Sequence, residues 1–99
     1  LHILATDAGR PVGSARIILL DDTAKIGRVC VLKDQRGTGL GAALIRAALE
    51  VARDQAGVTR AKLGSQEYAI PFYEKLGFSA YGPVYLDAGI RHRDMELTL

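Results

Sequence analysis

The eleven residues 34–44, "DQRGTGLGAAL", place three glycines at alternate positions directly before a helical pattern. Glycine costs a helix about 1 kcal/mol per residue relative to alanine, so Gly37, Gly39 and Gly41 need a reason other than helix stability. An apolar stretch precedes this segment, and apolar residues at helical spacing continue over residues 38–55. We therefore predict that the glycines join the end of a strand to the N-terminus of a helix.

A glycine-rich helix N-terminus is suited to binding an anion. Several backbone N–H groups there have no partner within the helix, and the aligned peptide dipoles add about half a positive charge. Glycines leave the approach free of side chains and let consecutive amides converge, and Arg36 adds a charge beside them. Phosphate or pyrophosphate fits this arrangement best, with a glycine-rich turn that binds nothing as the alternative.

Two known phosphate motifs fit the segment less well. A P-loop requires Lys followed by Ser or Thr after the last glycine, whereas Gly41 is followed by two alanines. Residues 37–42 satisfy the dinucleotide pattern G-x-G-x-x-A, but residues 33–36 separate them from the strand. The segment before them also resembles a meander of strands rather than alternating strands and helices.

The remaining pattern predicts three strands, a helix, a strand, a second helix and two strands. Near-continuous apolar residues predict that the third strand is central, and the ending "IILL" of the second predicts that both of its faces are covered. The predicted strands are 1–6, 12–20, 24–32, 59–66, 78–82 and 93–99, and the predicted helices are 38–55 and 68–77.

Composition limits the classes of function. The chain has 99 residues, which suits one domain, and its net charge of +2 is too small to indicate nucleic acid as a partner. No apolar run approaches the roughly 20 residues of a membrane span. The single cysteine, Cys30, excludes an internal disulfide framework and is typical of a reducing cytoplasm. With two histidines far from that cysteine, no metal site is expected.

Two segments resemble signatures of the GNAT superfamily of acyl-CoA-dependent N-acyltransferases. Residues 29–45, "VCVLKDQRGTGLGAALI", are similar to its acyl-CoA-binding motif, whose pattern Q/R-x-x-G-x-G/A is met by residues 36–41. Residues 69–78, "AIPFYEKLGF", are similar to its second signature, and the resemblance extends over essentially the whole chain. It implies a single α+β domain over residues 1–99, with helices packed on a mixed, mostly antiparallel sheet.

The resemblance also implies a reaction and its site. Acetyl-CoA is the expected co-substrate, without a metal, and the acceptor is a primary amine of a small molecule or peptide that attacks the thioester directly. Tyr73 matches the tyrosine that often protonates the departing CoA thiolate, while no residue is identified as the base. Pantetheine is expected along the third strand and beside Gln66, and the pyrophosphate at the glycines. The expected cofactor-binding residues are Val29, Cys30, Val31, Arg36, Gly37, Thr38, Gly39, Leu40, Gly41 and Gln66.

Several other residues have a structural interpretation that we prefer to a catalytic one. Cys30 is expected to be a small buried hydrophobic residue, since no neighbour in sequence would activate its thiol. Phe72 and Leu76 are expected in the core. Glu67 is expected as a solvated carboxylate at the start of the second helix, and His92 as a surface loop residue.

One departure from the family leaves other functions open. Members usually have a further strand and two helices ahead of the first hairpin, and this chain starts at Leu1, after them. A non-catalytic acyl-CoA-binding module and a small structural domain without a ligand are therefore alternatives. The acceptor pocket would be shaped in part by a loop over residues 81–93, and a homodimer through the last strands is a further option.

Overall fold

The computed structural model describes residues 1–32, 37 and 39–99, apart from the side chain of Asp7. Its elements follow the predicted order, with a short 3-10 turn, Glu67–Ala69, before the second helix. The strands are β1 (His2–Asp7), β2 (Arg10–Leu20), β3 (Thr23–Val31), β4 (Arg60–Gln66), β5 (Ser79–Asp87) and β6 (Ile90–Thr98), and the helices are α1 (Leu40–Arg53) and α2 (Ile70–Lys75).

The strands form one six-stranded sheet in the order β1-β2-β3-β4-β6-β5. Each neighbouring pair is antiparallel except β3 and β4, which run parallel, so the predicted α+β fold with a mixed, mostly antiparallel sheet is confirmed. Strand β3 is interior, as its apolar pattern predicted. The β3–β4 ladder pairs only residues 23–25 with residues 60–62. We call these residues the paired half of the β3–β4 pair, and residues 26–31 with 63–66 the open half.

Both helices pack on one face of the sheet. The buried residues of α1 recur at helical spacing and meet alternate residues of the strands, which is how an amphipathic helix covers a sheet. Ile70, Tyr73 and Leu76 of α2 pack against the same cluster. The buried core consists of Ile17, Ala24, Ile26, Ile45, Ala48, Leu49, Ala52, Ala61, Leu63, Phe78 and Met95.

The prediction that β2 is covered on both faces was wrong. Ile18, Leu19 and Leu20 are each at least 40% exposed, because they lie beyond the helices or on the face that neither helix covers. A run of four apolar residues cannot distinguish a strand covered on one face from one covered on both. The contrast with Ile17, 1% exposed on the helical face, shows the difference.

The predicted loop over residues 81–93 is instead a hairpin. Strands β5 and β6 pair antiparallel across most of it, and the turn contains Ala88 and Gly89, both with positive φ. Positive φ at both central residues is the mark of the hairpin turn that follows the natural twist of the strands. A β-bulge between Tyr81 and Tyr85 accommodates Gly82 and Pro83 within β5.

Candidate functional site

The open half of the β3–β4 pair encloses a cleft through the sheet. Its volume is about 360 Å³, and it is lined by residues of both strands, by Tyr68 and Ala69 of the 3-10 turn, by Tyr73 of α2 and by His92 of β6. A β-bulge marks the open half of β3, where the register shifts against β2 and Arg28 takes a φ of 51°. Val29 then packs against the core on the helical face.

The last residues of β3 direct their backbone groups alternately to its two neighbouring strands. The N–H of Leu32 donates to the carbonyl oxygen of Val12 at 2.9 Å, and alternate residues of an antiparallel strand direct their N–H and C=O groups to opposite sides. Cys30 therefore directs its backbone groups to β2, and Val31 directs its own towards β4. The ladder with β4 ends at Lys25, so those groups of Val31 have no ladder partner in β4, and Val31 lies beside a small surface cavity rather than in the lining of the cleft.

The glycines have two different structural roles. Gly37 and Gly39 have φ of 81° and 83°, a conformation that favours glycine, and a Cβ on either would meet no atom within 4 Å. Gly41 is helical, and a Cβ there would lie 3.7 Å from Cζ of Phe72. Phe72 of α2 therefore lies against the first turn of α1, at a distance where a Cβ on Gly41 would make ordinary van der Waals contact. The segment is a strand-to-helix junction, as predicted.

The first turn of α1 has the features of an anion site. Gly39 is the N-cap, its carbonyl accepts the N–H of Ala43 at 3.1 Å, and no acidic residue lies in the first turn. The N–H groups of the residues from Leu40 to Ala42 precede the first helical hydrogen bond, so they have no helical acceptor. Two predicted site residues, Arg36 and Thr38, lie outside the described residues.

Tyr73 lies where α2 meets the cleft. Its ring makes edge-to-face contacts with Phe72 and Phe78, at centroid distances of 5.0 Å and 6.0 Å, which fix its orientation. Burial raises the pKa of the Tyr73 hydroxyl above its ordinary 10.0, and the charge of Tyr68 raises it further. The phenol therefore keeps its proton at neutral pH and can donate it.

Gln66 lines the cleft from the end of β4. The hydroxyl of the preceding Ser65, which is buried, donates to the carbonyl oxygen of Gln66 at 2.8 Å and so holds the end of the strand. The carboxylate of Glu67 is exposed, as expected, and forms a 3.1 Å ion pair with Nε of Arg91. The structure therefore brings Val29, Gln66 and Tyr73 to one cleft.

A second cavity, of about 590 Å³, opens on the face of the sheet that the helices leave uncovered. It shares six lining residues with the cleft: Ile26, Gly27, Arg28, Leu63, Gly64 and His92. Tyr85 and Asp94 also line it, and the Tyr85 hydroxyl donates to Oδ1 of Asp94 at 3.0 Å. Sequence reasoning missed Tyr85 and Asp94, because only the pairing of β5 with β6 brings them together.

Three interpretations from sequence were wrong. Cys30 is exposed rather than buried, because on the far side of the bulge its side chain lies beside a small surface cavity. Phe72 is 40% exposed, since it covers Gly41 rather than the core. His92 is a half-buried residue of a strand rather than of a loop.

Two features are absent from residues 1–32, 37 and 39–99, the described part of the chain. No three His, Cys, Asp or Glu side chains in this part of the chain are grouped as a metal ion would require. Neither helix there has the length and apolar character to cross a membrane.

Comparisons with known proteins give the family. The model of the acetyltransferase (GNAT) domain matches residues 1–99. The uncharacterized N-acetyltransferase YjcF of Bacillus subtilis is 39% identical over 95 residues, which cover 95% of this chain and 67% of that protein. Another Bacillus subtilis relative, named an acetyltransferase, is 38% identical over 91 residues, and this chain spans 61% of its length.

Solved structures agree. An acyl-CoA N-acyltransferase from Pseudomonas aeruginosa has a TM-score of 0.88 at 30% identity, and ElaA from Escherichia coli has a TM-score of 0.88 at 32% identity. Each match covers 97% of this chain and 66% of the other chain. With a family model over its whole length and relatives of this identity, the chain belongs to the GNAT acetyltransferase family.

Proposed function

We propose that the chain binds acetyl-CoA in the cleft and transfers the acetyl group to a primary amine. The observation that carries this proposal is the open half of the β3–β4 pair, where the ladder between the strands has ended, on the strand that precedes the glycine-rich N-terminus of α1 in sequence. An extended ligand with an anionic end fits such a path, and the pantetheine and pyrophosphate of coenzyme A have that form.

The cofactor would lie with its pyrophosphate at the glycines and its thioester in the cleft. Its pyrophosphate would accept hydrogen bonds from the amides of residues 37–41, with the helix dipole adding to the attraction. The pantetheine amides would pair with the backbone of Val31 and contact Gln66, much as a peptide adds a strand to a sheet edge. The thioester would then lie in the cleft between β3 and β4, beside Tyr73.

The reaction needs three groups besides the cofactor. A neutral amine attacks the thioester carbonyl carbon, a backbone N–H of residues 29–31 stabilises the oxyanion, and an acid protonates the leaving thiolate. Tyr73 suits the last role, because its raised pKa keeps the proton on the phenol until the thiolate develops. As the C–S bond breaks, that proton passes to sulfur, and solvent restores it to the phenolate.

The first test is binding of acetyl-CoA by calorimetry to the Gly39→Asp variant. The new carboxylate would repel the pyrophosphate, and we expect affinity to fall at least 100-fold. Gly57→Asp is the matched control, since Gly57 has a φ of 80° and open space around its Cα but follows the other end of α1. Equal affinities of the two variants would contradict the proposal.

The second test separates an enzyme from a non-catalytic module. Tyr73→Phe keeps the ring contacts and removes the acid, so kcat is expected to fall about 100-fold while the Kd for acetyl-CoA stays within twofold. Binding without turnover on any amine would instead identify a module that only binds acyl-CoA. At an acetyl-CoA concentration of 100 times the expected Kd, binding should stabilise the folded protein by about 2.7 kcal/mol. The absence of any thermal stabilisation would instead indicate a structural domain without a ligand.

A further inference from the structure

We propose that His92 is the general base that takes a proton from the acceptor amine, and that Tyr85 and Asp94 position it. This inference rests on the acetyltransferase function proposed above and adds the residue that the sequence did not identify. It also assigns the acceptor to the uncovered face of the sheet. The carrying observation is the position of His92 where the cleft and the second cavity meet.

The lining shared by the two cavities restricts the choice of base. Of its six residues, four have apolar side chains or none, and the guanidinium of Arg28 has donors only. Among the described residues of that lining, His92 alone has a side-chain lone pair that can take a proton. An amine entering from the uncovered face would pass this imidazole before it reached a thioester in the cleft.

A hydrogen bond fixes the tautomer that a base requires. Nδ1 of His92 lies 2.8 Å from the carbonyl oxygen of Ile90, and a carbonyl oxygen can only accept. Nδ1 therefore carries the proton of the neutral ring, and the lone pair is on Nε2. This is the division of roles expected of a catalytic imidazole, with one nitrogen anchored and the other available.

Tyr85 holds the plane of the ring. The two rings stack at a centroid distance of 5.7 Å and an interplanar angle of 26°, and the Tyr85 hydroxyl is held in turn by Asp94. Burial raises the pKa of Tyr85, and the hydrogen bond to Asp94 raises it further, so the hydroxyl stays protonated and remains a donor.

Gly64 makes room for this arrangement. A Cβ at Gly64 would lie 2.5 Å from the Tyr85 hydroxyl, closer than real Cβ atoms approach other groups. Since Gly64 lies in the open half of β4, the cluster of His92, Tyr85 and Asp94 is built against the wall of the cleft itself. The other titratable or charged groups facing this region are Asp21 and Asp22 of the turn before β3, Lys25 and Arg28 of β3, Lys62 of β4, Tyr68 of the 3-10 turn, Tyr73 of α2, and Tyr81 and Asp87 of β5.

The proton balance is complete without another reactant. The acceptor arrives as an ammonium ion and gives one proton to Nε2 of His92, after which the neutral nitrogen attacks the thioester carbon. When the C–S bond breaks, the new amide nitrogen loses its second proton to solvent, and Tyr73 gives a proton to sulfur. His92 and Tyr73 return to their starting states by exchange with solvent, with one net proton released.

The tautomer can be tested without knowledge of the natural acceptor. In a long-range nitrogen–proton NMR spectrum of the labelled protein with coenzyme A at pH 8, we expect the proton of His92 on Nδ1. The His2→Gln variant assigns the resonances, since the chain has two histidines. A proton on Nε2 would overturn the proposal, whether or not any amine is acetylated.

Kinetics test the role itself, with butylamine, putrescine and alaninamide as probe amines. We expect His92→Gln to lower kcat/KM about 100-fold at pH 7.5, with His2→Gln unchanged. The variant should react only with free amine, so its kcat/KM should keep rising about tenfold per pH unit where the wild type has reached a plateau. Identical profiles for the two proteins would overturn the proposal. If no probe amine is acetylated, the NMR result decides.

Two further measurements separate the possible failures. If the wild-type protein does not bind acetyl-CoA in calorimetry, both the proposed function and this inference fail. If the wild-type protein binds acetyl-CoA and the His92→Gln variant has wild-type turnover, only the assignment of the base is wrong. Tyr85→Leu removes the stacking, and we expect a drop of about tenfold in kcat with KM within twofold and a mixture of both His92 tautomers. A purely structural role of Tyr85 would lower stability and leave the tautomer unchanged.

Discussion

The paired and open halves of the β3–β4 pair are consecutive along the same two strands, yet they differ in burial, in backbone pairing and in access to the cleft. In the paired half, Ala24 lies opposite Ala61, both are fully buried, and the backbone groups bond across the ladder. In the open half, each strand has a glycine, Gly27 in β3 and Gly64 in β4, and both glycines line the cleft. The paired half holds the sheet together, and the open half is free to bind a ligand.

The largest expected effect comes from the same substitution placed in each half of β3. Ala24→Asp would bury a carboxylate against the core and cost more than about 4 kcal/mol, a large share of the roughly 5–15 kcal/mol stability of a domain. At Gly27 a Cβ would meet nothing within 4 Å, so we expect Gly27→Asp to fold with a loss below about 1 kcal/mol. Urea denaturation measures both.

Binding should show the opposite order of effects. The carboxylate of Gly27→Asp would project where both cavities meet, and we expect its affinity for acetyl-CoA to fall at least tenfold. A folded Gly27→Asp variant with wild-type affinity would mean that the cofactor does not enter the open half.

A smaller effect distinguishes neighbouring residues within the open half. Cys30→Pro would remove an N–H that is directed to β2 and should cost about 2–3 kcal/mol, since a ladder bond is lost and a carbonyl is left without its donor. Val31→Pro would remove an N–H directed away from β2, beyond the end of the ladder with β4, so its stability should change by less than about 1 kcal/mol. Its affinity for acetyl-CoA should instead fall about threefold to tenfold, the value of one hydrogen bond. Equal stability losses would show that the alternation of β3 has been assigned incorrectly.

The sequence predicted what local signals determine. The order of elements, the strand-to-helix junction at the glycines and the interior position of β3 follow from periodicity and from glycine chemistry over short segments. Gly37 and Gly39 do adopt positive φ, whereas no local pattern could reveal that Phe72, 31 positions away, lies beside Gly41.

What the sequence did not predict depends on register between distant strands. Tyr85 meets His92 only because a bulge in β5 shifts the pairing, and the Tyr85 hydroxyl reaches Asp94 only because Gly64 of a third strand has no Cβ. Arg28 gave no signal of a bulge, since arginine rarely adopts a φ of 51°. The candidate cofactor path was thus visible in the sequence, and the candidate acceptor site was not.

The smallest expected effect lies at the start of the paired half. Asp22 ends the turn before β3, and its carboxylate accepts hydrogen bonds from the hydroxyls of Thr23 and Thr59 at 3.0 Å and 3.4 Å. The hydrogen bond from Thr23 lowers the pKa of Asp22 below its ordinary 3.8; desolvation opposes this in part, and the charge of Arg60 lowers the pKa further. A lowered pKa in the folded state means that the charged carboxylate stabilises the fold above pH 3.8, and that this contribution is lost as the pH falls through the folded pKa.

Asp22→Asn tests that sign. The variant keeps an acceptor oxygen and loses the charge, so it should be slightly less stable than the wild type at pH 7, and the difference should shrink towards zero below pH 3.8. Urea denaturation at pH 7 and pH 3 measures it, and 1 M NaCl should reduce the part due to Arg60 because the site is exposed. The backbone carbonyl of Asp22 still accepts the N–H groups of Thr59 and Arg60 in the variant. The contact between the start of β3 and the start of β4 should therefore persist. A difference that grew on acidification would mean that the carboxylate opposes folding, and that the backbone bonds alone set where β4 begins to pair.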